Sequence, residues 1–187
     1  MVIPESVVSI DNSAFSSCKG LTGDLTILGP HTTLGTSSFS GCRFSGSLTV
    51  KMTGDLIIPD SVETIGAYAF ESTSFDGDVV LGSGLTLVEP YTFANSGFAG
   101  ALTISDSVRV VGNNAFQACG SLTSIIMKDG LMTIGEDAFS GCVGLTSELN
   151  IPSSVRTIGL NAFADCVSTG PLILNEGLKN HLRRRIQ

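Results

Sequence analysis

The chain of 187 residues has no tryptophan, two histidines, and only 14% Asp, Glu, Lys and Arg together. With so little histidine and no repeated His position, neither a metal triad nor a Ser-His-Asp arrangement has its parts. The five cysteines stand 24, 77, 23 and 24 residues apart, and none has the Cys-x-x-Cys spacing of a zinc site. No apolar run approaches the ~18–20 residues that would span a bilayer, so membrane insertion is not expected. The opening "MVIPESVVSI" has no basic stretch followed by an apolar one, so it does not read as a secretory signal. Low charge does not imply disorder, because 42% of the residues are apolar and can build a core.

What charge there is lies unevenly. The net charge is −7, yet the last ten residues, "LKNHLRRRIQ", hold four of the ten basic residues and no acid. The body before them carries a net charge of −11. A body that acidic repels phosphate backbones, so no nucleic acid is expected as a partner.

Glycine is plentiful at 22 residues, which suits many short elements joined by tight turns. Those elements repeat. Phe recurs at 15, 39, 70, 93, 116, 139 and 163, at intervals of 24, 31, 23, 23, 23 and 24. One residue before each Phe is small (Ala14, Ser38, Ala69, Thr92, Ala115, Ala138, Ala162). Five before is aliphatic, and four before is Gly except at Asp11 and Glu89. Three after is Cys, at Cys18, Cys42, Cys119, Cys142 and Cys166, with Thr73 and Ser96 as exceptions. Apolar residues fourteen and twelve before the Phe alternate with period two, as in "LII", "VVL" and "LNI", and mark a short strand. A second short extended segment runs to the glycine. The "AFxxC" piece, with Phe and Cys three apart, is expected to form one helical or 3₁₀ turn. Each unit of about 23 residues cannot bury its apolar side alone, and stacking closes the core.

The pattern "IPxSVxxIGxxAFxxCxxLT", clearest in "IPDSVETIGAYAFESTSF" and "IPSSVRTIGLNAFADC", resembles the BspA-like branch of leucine-rich repeats. The resemblance implies a repeat solenoid, a right-handed coil of short parallel strands and short helical turns. It spans residues 1–178, with 179–187 left as a basic tail or degenerate cap. It further implies a surface or secreted microbial module without an active site or cofactor, used for adhesion to a protein or glycan. A structural spacer that carries other domains is the alternative. The first unit has no polar cap, so the chain is read as a piece of a longer array or as a start codon placed within one. End-to-end self-association through the uncapped ends is a further expectation.

Most reactive-looking residues fall into scaffold columns. "GEDAFSGC", residues 135–142, has two acids, a serine and a cysteine, but Glu136, Asp137 and Ser140 align with unrelated residues in other units. What recurs is Gly135, Ala138, Phe139 and Cys142. The cysteine column reads as buried apolar filler. His31 replaces an aliphatic residue and reads as a structural imidazole; His181 lies in the tail. No residue is expected to be catalytic or to bind a metal.

Three features depart from the frame and are the candidate contacts. The first is the outward side-chain row between the inward strand residues, Thr26, Ile57, Val80, Thr103, Ile126 and Asn150, with Asp24, Asp55 and Asp78 beside it. Such an acidic row is either solvated or a site for Ca²⁺ or a basic partner. The second is the excursion "KMTG", Lys51, Met52, Thr53 and Gly54, within the long 31-residue interval. Either Leu48 and Val50 or Leu56 and Ile58 can fill the regular strand there. The third is the arginine-rich tail.

Overall fold

A computed structural model describes residues 1–21, 25–27, 33–42, 56–73, 77–167 and 170–174. The chain winds as a parallel solenoid in which each unit is one rung. The strands alternate along the chain between two columns. The first column holds β1 (Val2–Ile3), β3 (Thr26–Ile27), β5 (Leu56–Ile58), β7 (Val79–Leu81), β9 (Ala101–Ile104), β11 (Ser124–Met127), β13 (Leu149–Ile151) and β15 (Leu172–Leu174). The second holds β2 (Ser9–Ile10), β4 (Thr33–Leu34), β6 (Thr64–Ile65), β8 (Leu87–Val88), β10 (Val110–Val111), β12 (Thr133–Ile134) and β14 (Thr157–Ile158). All pairing is parallel and one repeat apart, as in Leu56↔Val79, Val79↔Leu102 and Leu102↔Ile125.

The irregular interval resolves in favour of the later pair. Leu56 and Ile58 are buried in β5, while Thr33↔Thr64 keeps the second column in register across the 31 residues. Leu48, Val50 and the "KMTG" excursion lie outside the described residues.

The period-two pattern acts as expected. Leu56 and Ile58 are buried and Ile57 is 56% exposed. The Phe anchors stack along the solenoid, neighbouring rings 5.0–5.4 Å apart and within 10° of parallel. Each fully buried ring is worth about 1.5–3 kcal/mol by area and each stacked pair about 0.5–1.5 kcal/mol more. Phe98, five residues after an anchor, closes against Phe93 edge-on at 5.8 Å. Phe44 and Phe75 lie outside the described residues.

One expected detail differs. Among the described residues no helix forms; the "AFxxC" piece is a chain of tight turns. The residues two before and two after every Phe have positive φ, 51–75°. Hydrogen bonds from three after to the Phe carbonyl, as in Cys142 N to Phe139 O at 3.2 Å, close local turns. The intervening amides donate to the next rung instead: Phe15, Phe39, Phe70, Phe93, Phe116 and Phe139 each reach the residue before the next Phe at 2.8 Å. A helix would need those amides for its own i−4 carbonyls and cannot take a left-handed residue every fourth position. The solenoid gains a third hydrogen-bonded side in exchange.

The glycine column has a separate cause. A Cβ at Gly135 would lie 2.7 Å from Asn113 N, and one at Gly159 would lie 2.4 Å from Glu136 N. Each rung therefore sits closer to the preceding backbone there than a side chain allows. We have no physical account of Glu89 in that column.

Candidate functional site

Four parallel strands, β5, β7, β9 and β11, form a continuous ladder. A groove of about 610 Å³ lies along its outward face. Ile57, Val80 and Thr103 supply the floor, and Asp60, Asp106 and Lys128 stand at the rim. The floor follows from strand alternation, since the residue between two buried ones must face out. The rim comes from the turns after the strands, ten and eleven residues before each Phe. Two of these turns are pinned across rungs: Asp60 Oδ1 accepts the Ser83 amide at 2.7 Å, and the Ser105 hydroxyl donates to Gly82 O at 3.1 Å. The Ser83 backbone and side-chain hydrogen bonds hold the Asp60 carboxyl below the usual carboxylate range, so it is anionic near neutral pH. At Gly82 a Cβ would fall 2.5 Å from the Ile58 carbonyl, which is why the turn can lie so close to its neighbour.

The expected outward row is thus brought together only in part. Ile57, Val80 and Thr103 share the groove, and Ile126, 45% exposed, continues the row beside Thr103 without lining it. Asn150 is exposed on β13, which pairs with β15. Thr26 pairs with Val2 through β3. Of the acidic row, Asp24 and Asp55 lie outside the described residues. Asp78 Oδ1 accepts the Ala101 amide at 2.7 Å, a bond that ties one rung to the next. Among the described residues no three metal-ligating side chains converge. The groove brings carboxylates, serine hydroxyls and apolar side chains together.

The cysteine column does more than fill space. Cys119, Cys142 and Cys166 donate their thiols to the Phe carbonyl of the preceding rung at 3.1–3.3 Å, and Cys42 does so at 2.8 Å. Of the two exceptions, Ser96 keeps that donor in place by bonding the Phe70 carbonyl of the preceding rung, whereas Thr73 bonds the Phe70 carbonyl of its own rung. Burial pushes the Cys119 thiol up to about 12. Burial also raises Cys42, and the Cys166 thiol with burial raises Cys142. The shared hydrogen bond places the ionised form on Cys166, the more exposed partner, and lowers its value.

Sequence reasoning passed over two features. Of the rim, Asp60 and Asp106 had a signal, namely their common column ten before the Phe. So had Tyr68 and Tyr91, each two residues before an anchor Phe in consecutive rungs. They are half-buried, and their rings stack at 4.8 Å and 6°.

A family model for the BspA-type leucine-rich repeat region matches residues 1–53 and 49–170, in six copies. A search of curated proteins finds no match. Among solved structures, the pneumococcal vaccine antigen PcpA is similar with a TM-score of 0.63 at 19% identity, over 84% of this chain and 42% of that one. A leucine-rich cell surface protein from Faecalibacterium prausnitzii aligns with a TM-score of 0.47 at 22% identity, over 88% of this chain and 50% of its own. The chain spans half or less of the length of either protein.

Proposed function

The chain belongs to the BspA-type leucine-rich repeat family, and from that premise we propose that it is a non-catalytic binding module of a microbial surface or secreted protein. The groove on β5, β7, β9 and β11 is its contact for a protein ligand. One observation carries this reading: two of the three floor side chains, Ile57 and Val80, are aliphatic where a solvated sheet would be polar, and two carboxylates and a lysine edge it. An apolar centre with a charged rim is the anatomy of a protein interface. The absence of aromatic side chains among the lining residues favours a peptide segment over a sugar at this place. The carboxylates Asp60 and Asp106, on a strongly acidic body, favour a segment that carries Lys or Arg beside aliphatic residues. The surface assignment is supported by the family and by the antigen that shares the fold.

The test is a displayed peptide library selected on the immobilised chain. Enriched peptides are expected to combine basic and aliphatic residues and to lose at least tenfold in affinity to the variant Val80→Asp with Asp60→Lys. Peptides that bind the variant as well as the parent, with no basic enrichment, would sink the groove reading. The uninterrupted Phe stack and inter-rung hydrogen bonds support the second reading, a stiff spacer. That reading gains if selection yields nothing.

A further inference from the structure

Tyr68 and Tyr91 occupy a column with a strict conformational demand. The residue two before the Phe has positive φ in all seven rungs. Five rungs meet the demand with Ser13, Ser37, Asn114, Asp137 and Asn161, short polar residues that suit a turn, with Asn and Asp the best tolerated at positive φ. Tyr68 and Tyr91 sit at φ 60° and 58° with bulky side chains that this conformation disfavours. The exceptions are adjacent, and their rings lie face to face. Where a sequence breaks a local rule twice at neighbouring points, a surface contact is a physical reason to look for.

The surroundings specify the contact. The inner faces of the two rings close on each other. The outer faces look along the solenoid toward Ser37 on one side and Asn114 on the other, whose side chains are shorter than a phenol. Among the described residues neither tyrosine hydroxyl has a hydrogen-bond partner, and the side-chain amides of Asn114 and Gln117 are unengaged. Glu71, bonded by the Ser40 hydroxyl at 3.5 Å, lies one turn along from Tyr68. These turns carry no lysine or arginine, so an anionic ligand has no counter-charge.

We propose that the Tyr68–Tyr91 pair is a carbohydrate-binding ledge for a neutral pyranose. The C–H face of the sugar lies on the outer face of Tyr91, and its hydroxyls bond the Asn114 and Gln117 amides and the phenol oxygens. A pyranose matches the area of one ring, which is all this ledge offers. A protein hot spot would want an apolar surround, and here the neighbours are polar. The ledge lies on the turn side of the coil, apart from the sheet groove. It adds to the binding-module reading, and its failure would leave the groove untouched.

The composition supplies the probe. With no Trp and two Tyr in the chain, tyrosine fluorescence reports this pair and nothing else. The chain is titrated with the tetrasaccharides of β-1,4-glucose, α-1,4-glucose, β-1,4-mannose and β-1,4-N-acetylglucosamine, and with a sialylated trisaccharide. At least one neutral sugar is expected to shift the emission saturably, with millimolar or tighter affinity, and the sialylated one not at all. Tyr91→Asn is expected to weaken that binding at least tenfold, read by calorimetry, and Tyr91→Phe less than threefold. Asn fits the left-handed position better than Tyr, so Tyr91→Asn should melt no lower than Tyr91→Phe, which separates lost binding from lost fold. The proposal is overturned if no neutral sugar shifts the emission, if the sialylated sugar binds as well, or if Tyr91→Asn binds like the parent.

Discussion

Ser38 stands where five other rungs have Ala, and its buried hydroxyl has no partner among the described residues. Thr92, in the same column, bonds Glu89 O at 2.8 Å. An unsatisfied buried hydroxyl costs about 1–3 kcal/mol. Ser38→Ala is therefore expected to raise stability by about 1 kcal/mol in urea denaturation, whereas Thr92→Ala should not. The thiols set the response to base. Cys119 titrates at about 12 in the fold, against 9.0 ordinarily. Below pH 9 both states keep this proton and the contribution of Cys119 to stability is flat. Above it the unfolded chain releases its proton while the fold retains its own, so stability falls by about 1.4 kcal/mol per pH unit for such a thiol until the folded value is reached. The gap in denaturation midpoint between the chain and Cys119→Ser should hold steady from pH 7 to 8.5 and then shift in favour of the variant, whose decline is shallower. A shift in that gap that begins below pH 8, or an unchanged slope in the variant, contradicts this.

At the scale of the rung, two left-handed points replace a helix. Asp137 has φ 51° and Gly141 φ 75°. Asp137→Gly should be neutral or slightly stabilising. Asp137→Val should cost about 1–2 kcal/mol, because a β-branched side chain fits left-handed backbone poorly. Equal stability of the two variants would show that the turn geometry is misassigned. These points mark where sequence reading ran out. The Phe, Gly and strand columns were legible because burial recurs as apolar identity, but two apolar pairs fitted the long interval equally well, and only the strand pairing chose Leu56–Ile58. The turns were not, because Ser, Asn, Asp, Ala, Gly and Tyr all occupy the left-handed positions and no single letter repeats. The cysteine column was half legible: burial could be read, but the donor role that Ser96 shares with the cysteines needed the Phe carbonyls in place. In the groove, Ile57, Val80 and Thr103 were foreseen from alternation. Asp60, Asp106 and Lys128 were not: the two aspartates share a column, but the other rungs hold different residues there, and Lys128 stands one position before that column.

Across the whole molecule, each rung's ladders reach only the rungs before and after it. Stability is then a sum of rung and interface contributions, without long-range closure. That linear order has a mechanical consequence. Pulled from its two ends, the coil carries load through its bonded rungs in series, and a rung that detaches leaves its inner neighbour as the new end. Each 23-residue rung, once freed, lengthens the tether by about 75–80 Å at full extension. A force–extension trace should be a row of evenly spaced small peaks, not one large rupture. The material is a zip fastener, whose resistance resets at every tooth.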